Sequence, residues 1–151
     1  MSAKQEPIGI AVVGAGGWGR NHVRNFAQLP SADLRWVCDH SDDVASRVGE
    51  SHPDVPITAD LSEVLGDEGV RGVVIATDAP SHYEVAMAAL DAGKDVFVEK
   101  PLALRSDHAQ AMGDRADAAG RILRAGHLLL YHPVCRFSTS DAAAALPRPH
   151  V

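Results

Sequence analysis

Three short stretches carry residue types and spacings from which chemistry can be built. The first is Gly14-Ala15-Gly16-Gly17-Trp18-Gly19, a GxGxxG run between the apolar "IGIAVV" and the amphipathic "RNHVRNF". The second is Asp39, 20 residues beyond Gly19, and the third is Glu99-Lys100-Pro101. A glycine-rich turn that ends a strand and opens a helix gathers unpaired N–H groups and partial positive charge at one point, which suits a phosphate. In such a turn Gly14 permits the tight bend, Gly16 lets the backbone approach a pyrophosphate, and Gly19 lets the helix pack on the strand. An acid at the position of Asp39 accepts hydrogen bonds from ribose hydroxyls and repels a 2′-phosphate. The spacing therefore predicts a dinucleotide site that takes NAD, with NADP disfavoured. Trp18 either covers the pyrophosphate or packs against the neighbouring turn.

The elements that must position these residues follow from the hydrophobic pattern. Ile8–Val13 is a continuous apolar run, the signature of a strand buried on both faces. Gly19–Leu29 has Val23, Phe26 and Ala27 at helical spacing and stops at Pro30. Further strands are predicted at Asp33–Asp39, Val55–Thr58, Gly72–Thr77, Asp95–Pro101 and Arg121–Leu130. Between them, Ser41 caps one helix with Asp42 and Asp43 in its first turn. Asp60 and Glu63 open a short helix as a capping box, running to Leu65. His82–Ala92 turns Ala86, Met87, Ala89 and Leu90 inward and closes at Gly93. Ser106–Ala119 aligns Ala109, Met112, Ala116 and Ala119 and closes at Gly120. Strands and helices alternating in this way give right-handed crossovers and an α/β fold, a doubly wound parallel sheet of six strands.

A ligand of such a sheet lies beyond the carboxyl ends of the strands. "ATDAPSHYE" (Ala76–Glu84) and "EKPLAL" (Glu99–Leu104) occupy that edge after the fourth and fifth strands. With Gly14–Gly19 and Asp39, these runs make residues 8 to 137 resemble the glucose-fructose oxidoreductase, inositol dehydrogenase and MocA family (Gfo/Idh/MocA). Glu99-Lys100-Pro101 is the most specific mark. The resemblance implies that Gly16 to Gly19 and Asp39 hold the pyrophosphate and adenosine ribose. It places Ala76, Thr77 and the loop to His82 along the nicotinamide half, and Glu99 near the nicotinamide ribose. Lys100 is implied to face the substrate hydroxyl, behind a cis Pro101. "GHLLLYHP" (Gly126–Pro133) is similar to a subgroup acting on nucleotide-linked sugars, which puts His127 near the active site. The plain alternative for His82 is a helix N-terminal cap, and for Lys100 a solvated strand end.

The function implied is hydride transfer between NAD and a hydroxyl of a sugar, nucleotide-sugar or cyclitol. The protein's part would be to position the partners and assist the hydroxyl proton. Composition agrees with an ordinary globular domain: 151 residues, 46% apolar, 23% charged. A formal net charge of −6 without a Lys/Arg cluster argues against nucleic acid or an anionic membrane. Cys38 and Cys135 are far apart, so neither a disulfide scaffold nor a metal site is expected, and a cytoplasmic location fits. No apolar run has the length of a membrane span. The domain is expected to cover residues 1–137, with an irregular tail at 138–151 where the family's second, substrate-binding and oligomer-forming α+β domain would begin. A non-catalytic nucleotide-binding module and a truncated remnant are the competing readings, and a homo-oligomer is among the assemblies the resemblance implies.

Overall fold

Strand β1 (Ile8–Val13) lies inside the sheet, and its residues feed two separate cores. The computed structural model describes residues 6–127. Its elements are β1, α1 (Gly19–Gln28), β2 (Ala32–Cys38), α2 (Asp42–Ser51), β3 (Ile57–Thr58), α3 (Leu61–Gly66), β4 (Gly72–Ile75), α4 (His82–Asp91), β5 (Asp95–Val98), α5 (Ser106–Ala119) and β6 (Leu123–Ala125). The strands form one sheet in the order β3-β2-β1-β4-β5-β6, every pairing parallel. Strand order reverses between β1 and β4, and that switch point opens a crevice at the carboxyl edge.

Period-2 alternation divides the apolar residues between two faces. Ala11, Val13, Val73, Ile75, Val96 and Val98 pack with Val64 of α3, Ala86, Ala89 and Leu90 of α4, and Met112 and Ala116 of α5. Val12, Leu34, Val37 and Val74 face the other way, against Val23 of α1 and Val44 and Val48 of α2. Both faces are covered, which is why β1 and β4 read as unbroken apolar runs. Gly93 and Gly120 leave their helices with positive φ, as the sequence predicts.

Several local expectations change. The third strand shortens to Ile57–Thr58, the fourth to Gly72–Ile75, the fifth to Asp95–Val98 and the sixth to Leu123–Ala125. Ala27 is exposed, since Val23 and the half-buried Phe26 already fill the contact of α1. The capping box is one-sided: the Asp60 carboxylate accepts the Ser62 N–H at 2.8 Å, but Glu63 accepts the Thr58 hydroxyl instead. Thr58 Oγ1 in turn accepts the Asp60 N–H at 3.0 Å, so the hydroxyl does the work expected of Glu63. The far end of the expected sixth strand, His132, Cys135, the boundary at residue 137 and the tail at 138–151 lie outside the described residues.

A polar knot ties the amino ends of the strands. Asp67, after α3, accepts from Arg35 Nε and Trp36 Nε1, each at 2.9 Å, and from the Gly69 N–H at 2.7 Å. Its backbone carbonyl accepts the buried Lys94 ammonium at 2.8 Å. A Cβ on Gly69 would meet the Arg35 guanidinium carbon at 2.5 Å, so that glycine makes room for the knot. The Arg35 hydrogen bond, aided by Trp36 and Gly69, holds the Asp67 carboxyl down to about 2.

A depressed carboxyl contributes stability above its unfolded value, about 3.9, and loses it as pH falls through the folded value. The unfolding temperature should therefore drop between about pH 4 and pH 2. Asp67→Asn should be less stable at pH 7 and flatter across that window, which pH-dependent melting checks. Asp107 is held equally low by Arg105, but its side chain is 61% exposed against 20% for Asp67, and solvent screens such a pair. A wild-type curve no steeper than that of Asp67→Asn would remove the knot from the acid response.

Candidate cofactor and substrate site

β1 ends in the glycine loop because Gly14 takes φ +83°, a left-handed conformation that side chains resist. A Cβ there would sit 2.7 Å from the Ala76 carbonyl carbon and the Thr77 nitrogen, so the loop lies directly on the end of β4. A Cβ on Gly19 would overlap the Gly14 carbonyl oxygen, and this closeness seats α1 on the sheet. Gly16 and Gly17 differ in kind: a Cβ on either meets nothing within 4 Å. Among the described residues, the N–H groups of Gly16, Gly17 and Trp18 donate to no protein acceptor. Two glycines thus serve the fold and two stand open toward solvent. Trp18 is 51% exposed at the N-terminus of α1, so it does not pack as part of the core.

These open positions border a cleft of about 590 Å³. Along the strand order, Asp39 and His40 line its β2 end, Gly14, Gly16 and Gly17 line it after β1, and Thr77, Asp78 and Ser81 line it after β4. Asp39 reaches it from the tip of β2. One carboxylate oxygen accepts the Ala15 N–H at 2.7 Å and the other the Ser41 N–H at 2.9 Å. The same side chain therefore anchors the glycine loop and offers its remaining lone pairs to the cleft. Cys38 lies beside it, and burial, with Asp39 adding to it, pushes the thiol up to about 11. Such a thiol stays protonated and does no chemistry at neutral pH.

Across the cleft, Ala76 and Thr77 follow β4. The Ser81 hydroxyl lies 2.7 Å from Thr77 Oγ1 and 2.8 Å from the Asp78 carbonyl oxygen, which fixes the turn into α4. His82 is not brought to the cleft. It is 1% exposed, with Nδ1 2.8 Å from the Pro101 carbonyl oxygen and Nε2 2.9 Å from the Thr77 carbonyl oxygen. Nor does its side chain cap α4. It joins the loop after β4 to the loop after β5, a link between residues whose partners stand 5 and 19 positions away.

Glu99 is likewise buried, with its side chain 9% exposed. Its Oε1 lies 2.7 Å from Nε2 of His22 on α1, and its Oε2 accepts the Lys100 N–H at 3.3 Å. His22 is the residue that sequence reasoning passes over: nothing in its spacing marks it as a partner for a carboxylate 77 positions away. Lys100 is exposed and precedes a cis bond to Pro101. Among the described residues its ammonium has no ion-pair partner. His127 is exposed at the last described position, where its backbone N–H donates to the Ala125 carbonyl at 2.9 Å.

The residues present fit a dinucleotide. The open N–H groups at a helix N-terminus suit a diphosphate, the acid at the tip of β2 suits a ribose, and the cleft continues past both to the end of β4.

Comparison with known proteins gives the same assignment. Residues 8–127 match the model of an oxidoreductase family with an NAD-binding Rossmann fold, GFO_IDH_MocA. Inositol 2-dehydrogenase of Acidothermus cellulolyticus is 32% identical over 133 residues, which cover 87% of this chain and 39% of that enzyme. A 4-carboxy-2-hydroxymuconate-6-semialdehyde dehydrogenase of Sphingobium is 29% identical over 124 residues, 82% of this chain and 39% of the relative. Among solved structures, GenD2 from gentamicin A biosynthesis, in complex with NAD, superposes with a TM-score of 0.83 at 36% identity, over 91% of this chain and 39% of that one. The chain thus spans about two fifths of the length of these relatives.

Proposed function

The chain belongs to the GFO_IDH_MocA oxidoreductase family, whose shared part is an NAD-binding Rossmann fold, and on that premise we propose that it is the cofactor-holding part of an NAD-dependent dehydrogenase. The substrate class we assign is a sugar, nucleotide-sugar or cyclitol bearing a secondary hydroxyl. The inositol 2-dehydrogenase relative supports that class. Substrate binding by a further domain, and homo-oligomeric assembly through it, belong to the same proposal.

One observation carries the reading: Gly16 and Gly17 keep open space and, among the described residues, unpartnered N–H groups at the start of α1, beside a cleft that ends at Asp39. In this reading Gly16, Gly17, Trp18 and Gly19 hold the diphosphate through their backbone. Asp39 accepts from the adenosine ribose while bracing the loop. Ala76, Thr77 and the Asp78–Ser81 turn line the other half. His82 acts from below, by tying that turn to Pro101, and Glu99 by buttressing the strand end. Lys100, exposed and without an ion-pair partner among the described residues, receives the substrate hydroxyl and helps remove its proton. His127 would stand at the rim. Bound NAD supplies the acceptor for the hydride released from the carbon that carries the hydroxyl.

Thermal unfolding of the 151-residue chain with NADH tests the reading. A ligand at ~100 times its dissociation constant stabilises the folded state by about 2.7 kcal/mol. For a domain of this size that is a rise of roughly 5–10 °C. A cooperative transition that NADH leaves unmoved sinks the proposal.

A further inference from the structure

Glu99 and Lys100 are adjacent residues of opposite charge at the end of β5, and they do not pair. The carboxylate instead turns inward and meets His22 at 2.7 Å, in a pair whose side chains are 9% and 15% exposed. His22 is itself held in place. Its ring meets Phe97 edge-on at 5.5 Å and stacks with Phe26 at 6.4 Å. Gly126 completes the enclosure, because a Cβ there would lie 3.0 Å from Glu99 Oε2 and 3.0 Å from Phe97 Cζ. The backbone is fixed too: the Glu99 N–H donates to the Ile75 carbonyl at 2.8 Å. α1, β5 and the chain after β6 thus converge on one carboxylate.

We propose that His22 is a positioning residue for Lys100: by drawing the Glu99 carboxylate into a buried pair, it leaves the neighbouring ammonium unpaired at the carboxyl edge of the sheet. The inference rests on the reading of Lys100 as the residue that meets the substrate hydroxyl. A carboxylate without a partner in so enclosed a place is strongly unfavourable. If His22 is removed, Glu99 leaves the interior, and the cation next to it in the chain is Lys100. The resulting local ion pair would tie up the group that must approach substrate. His22 touches neither cofactor nor substrate in this scheme; it decides which partner Glu99 takes.

The test is the acylation rate of Lys100 by acetic anhydride in the full chain, followed by peptide mass spectrometry. His22→Leu is expected to slow Lys100 roughly two- to fivefold, the range open to an exposed ion pair. His22→Gln offers a side-chain N–H to the same carboxylate and keeps the wild-type rate. His22→Leu combined with Glu99→Gln has no carboxylate to release, and the rate returns. An unchanged rate in His22→Leu, or a slow one in the double variant, overturns the proposal. Should His22→Leu lose its cooperative unfolding, His22→Asn, polar but too short to reach Glu99, carries the same expectation. The NADH melting shift is read on the same samples. A wild-type chain that ignores NADH, yet slows at Lys100 when His22 is replaced, overturns the cofactor reading and supports the positioning one.

Discussion

Gly16→Ala is expected to unfold within about 2 °C of the wild-type chain and to show no rise with NADH, whereas Gly19→Ala unfolds well below both. The two glycines share one motif and one loop, yet a methyl group meets different surroundings at each. At Gly19 it overlaps the Gly14 carbonyl oxygen, a backbone atom that cannot swing aside. Either α1 lifts from the sheet or the turn at Gly14 distorts, and overpacking of this kind costs about 3 kcal/mol. For a domain of this length that lowers the midpoint by roughly 6–12 °C. At Gly16 the methyl group meets nothing within 4 Å, and φ is not in the left-handed region. The folded state loses nothing, and the unfolded chain loses some freedom. What the methyl group takes is the space beside the free N–H groups. Melting both variants with and without NADH separates a glycine kept for the fold from one kept for a ligand. A Gly16→Ala chain that still responds to NADH would mean that the open loop is not the phosphate cradle. A Gly19→Ala chain as stable as wild type would mean that the close seat of α1 on the turn is not needed.

The elements around that loop are legible in the sequence because their causes are local. Ile8–Val13 is apolar without interruption since Val12 faces one core while Ala11 and Val13 face the other. Ser41 announces α2 since a hydroxyl three residues before Val44 reaches its N–H. The GxGxxG spacing gives the place of the cleft, and Asp39 lines it from the tip of β2. Contacts made across the fold leave no such trace. The partnership of His22 with Glu99 spans 77 positions and joins a helix of one layer to the end of a central strand. His82 reads as a site residue because it stands in a loop-to-helix run rich in polar groups, and only the fold shows its ring sunk between Thr77 and Pro101. Glu63 has capping-box spacing, but Thr58, one strand earlier, reaches it first. Period and spacing report which face a residue takes. They do not report which distant polar group waits there.

Asp39→Asn should narrow the preference of the chain for NADH over NADPH by about tenfold, the factor that 1.4 kcal/mol of charge repulsion represents. The carboxylate stands at the end of the cleft and is fixed from both sides, by the Ala15 N–H at 2.7 Å and the Ser41 N–H at 2.9 Å. It cannot turn away from a 2′-phosphate without releasing the glycine loop. Two like charges a few ångströms apart at a partly exposed site repel by an energy of that order. The amide keeps one oxygen acceptor, so the ribose contact and one of the two backbone contacts persist, and NADH binding should weaken only modestly. Asp39→Ala removes both braces, and its NADH affinity should fall further while its unfolding temperature drops. The order expected for NADH is therefore wild type, then Asp39→Asn, then Asp39→Ala, with discrimination against NADPH narrowed already at the amide. Titrating both cofactors into the three chains by fluorescence gives the ratios. If the amide discriminated as strongly as the carboxylate, charge at Asp39 would not be the selector. If the alanine variant bound NADH as well as wild type, the carboxylate would serve neither ribose nor loop, and the cleft would hold its ligand in some other register.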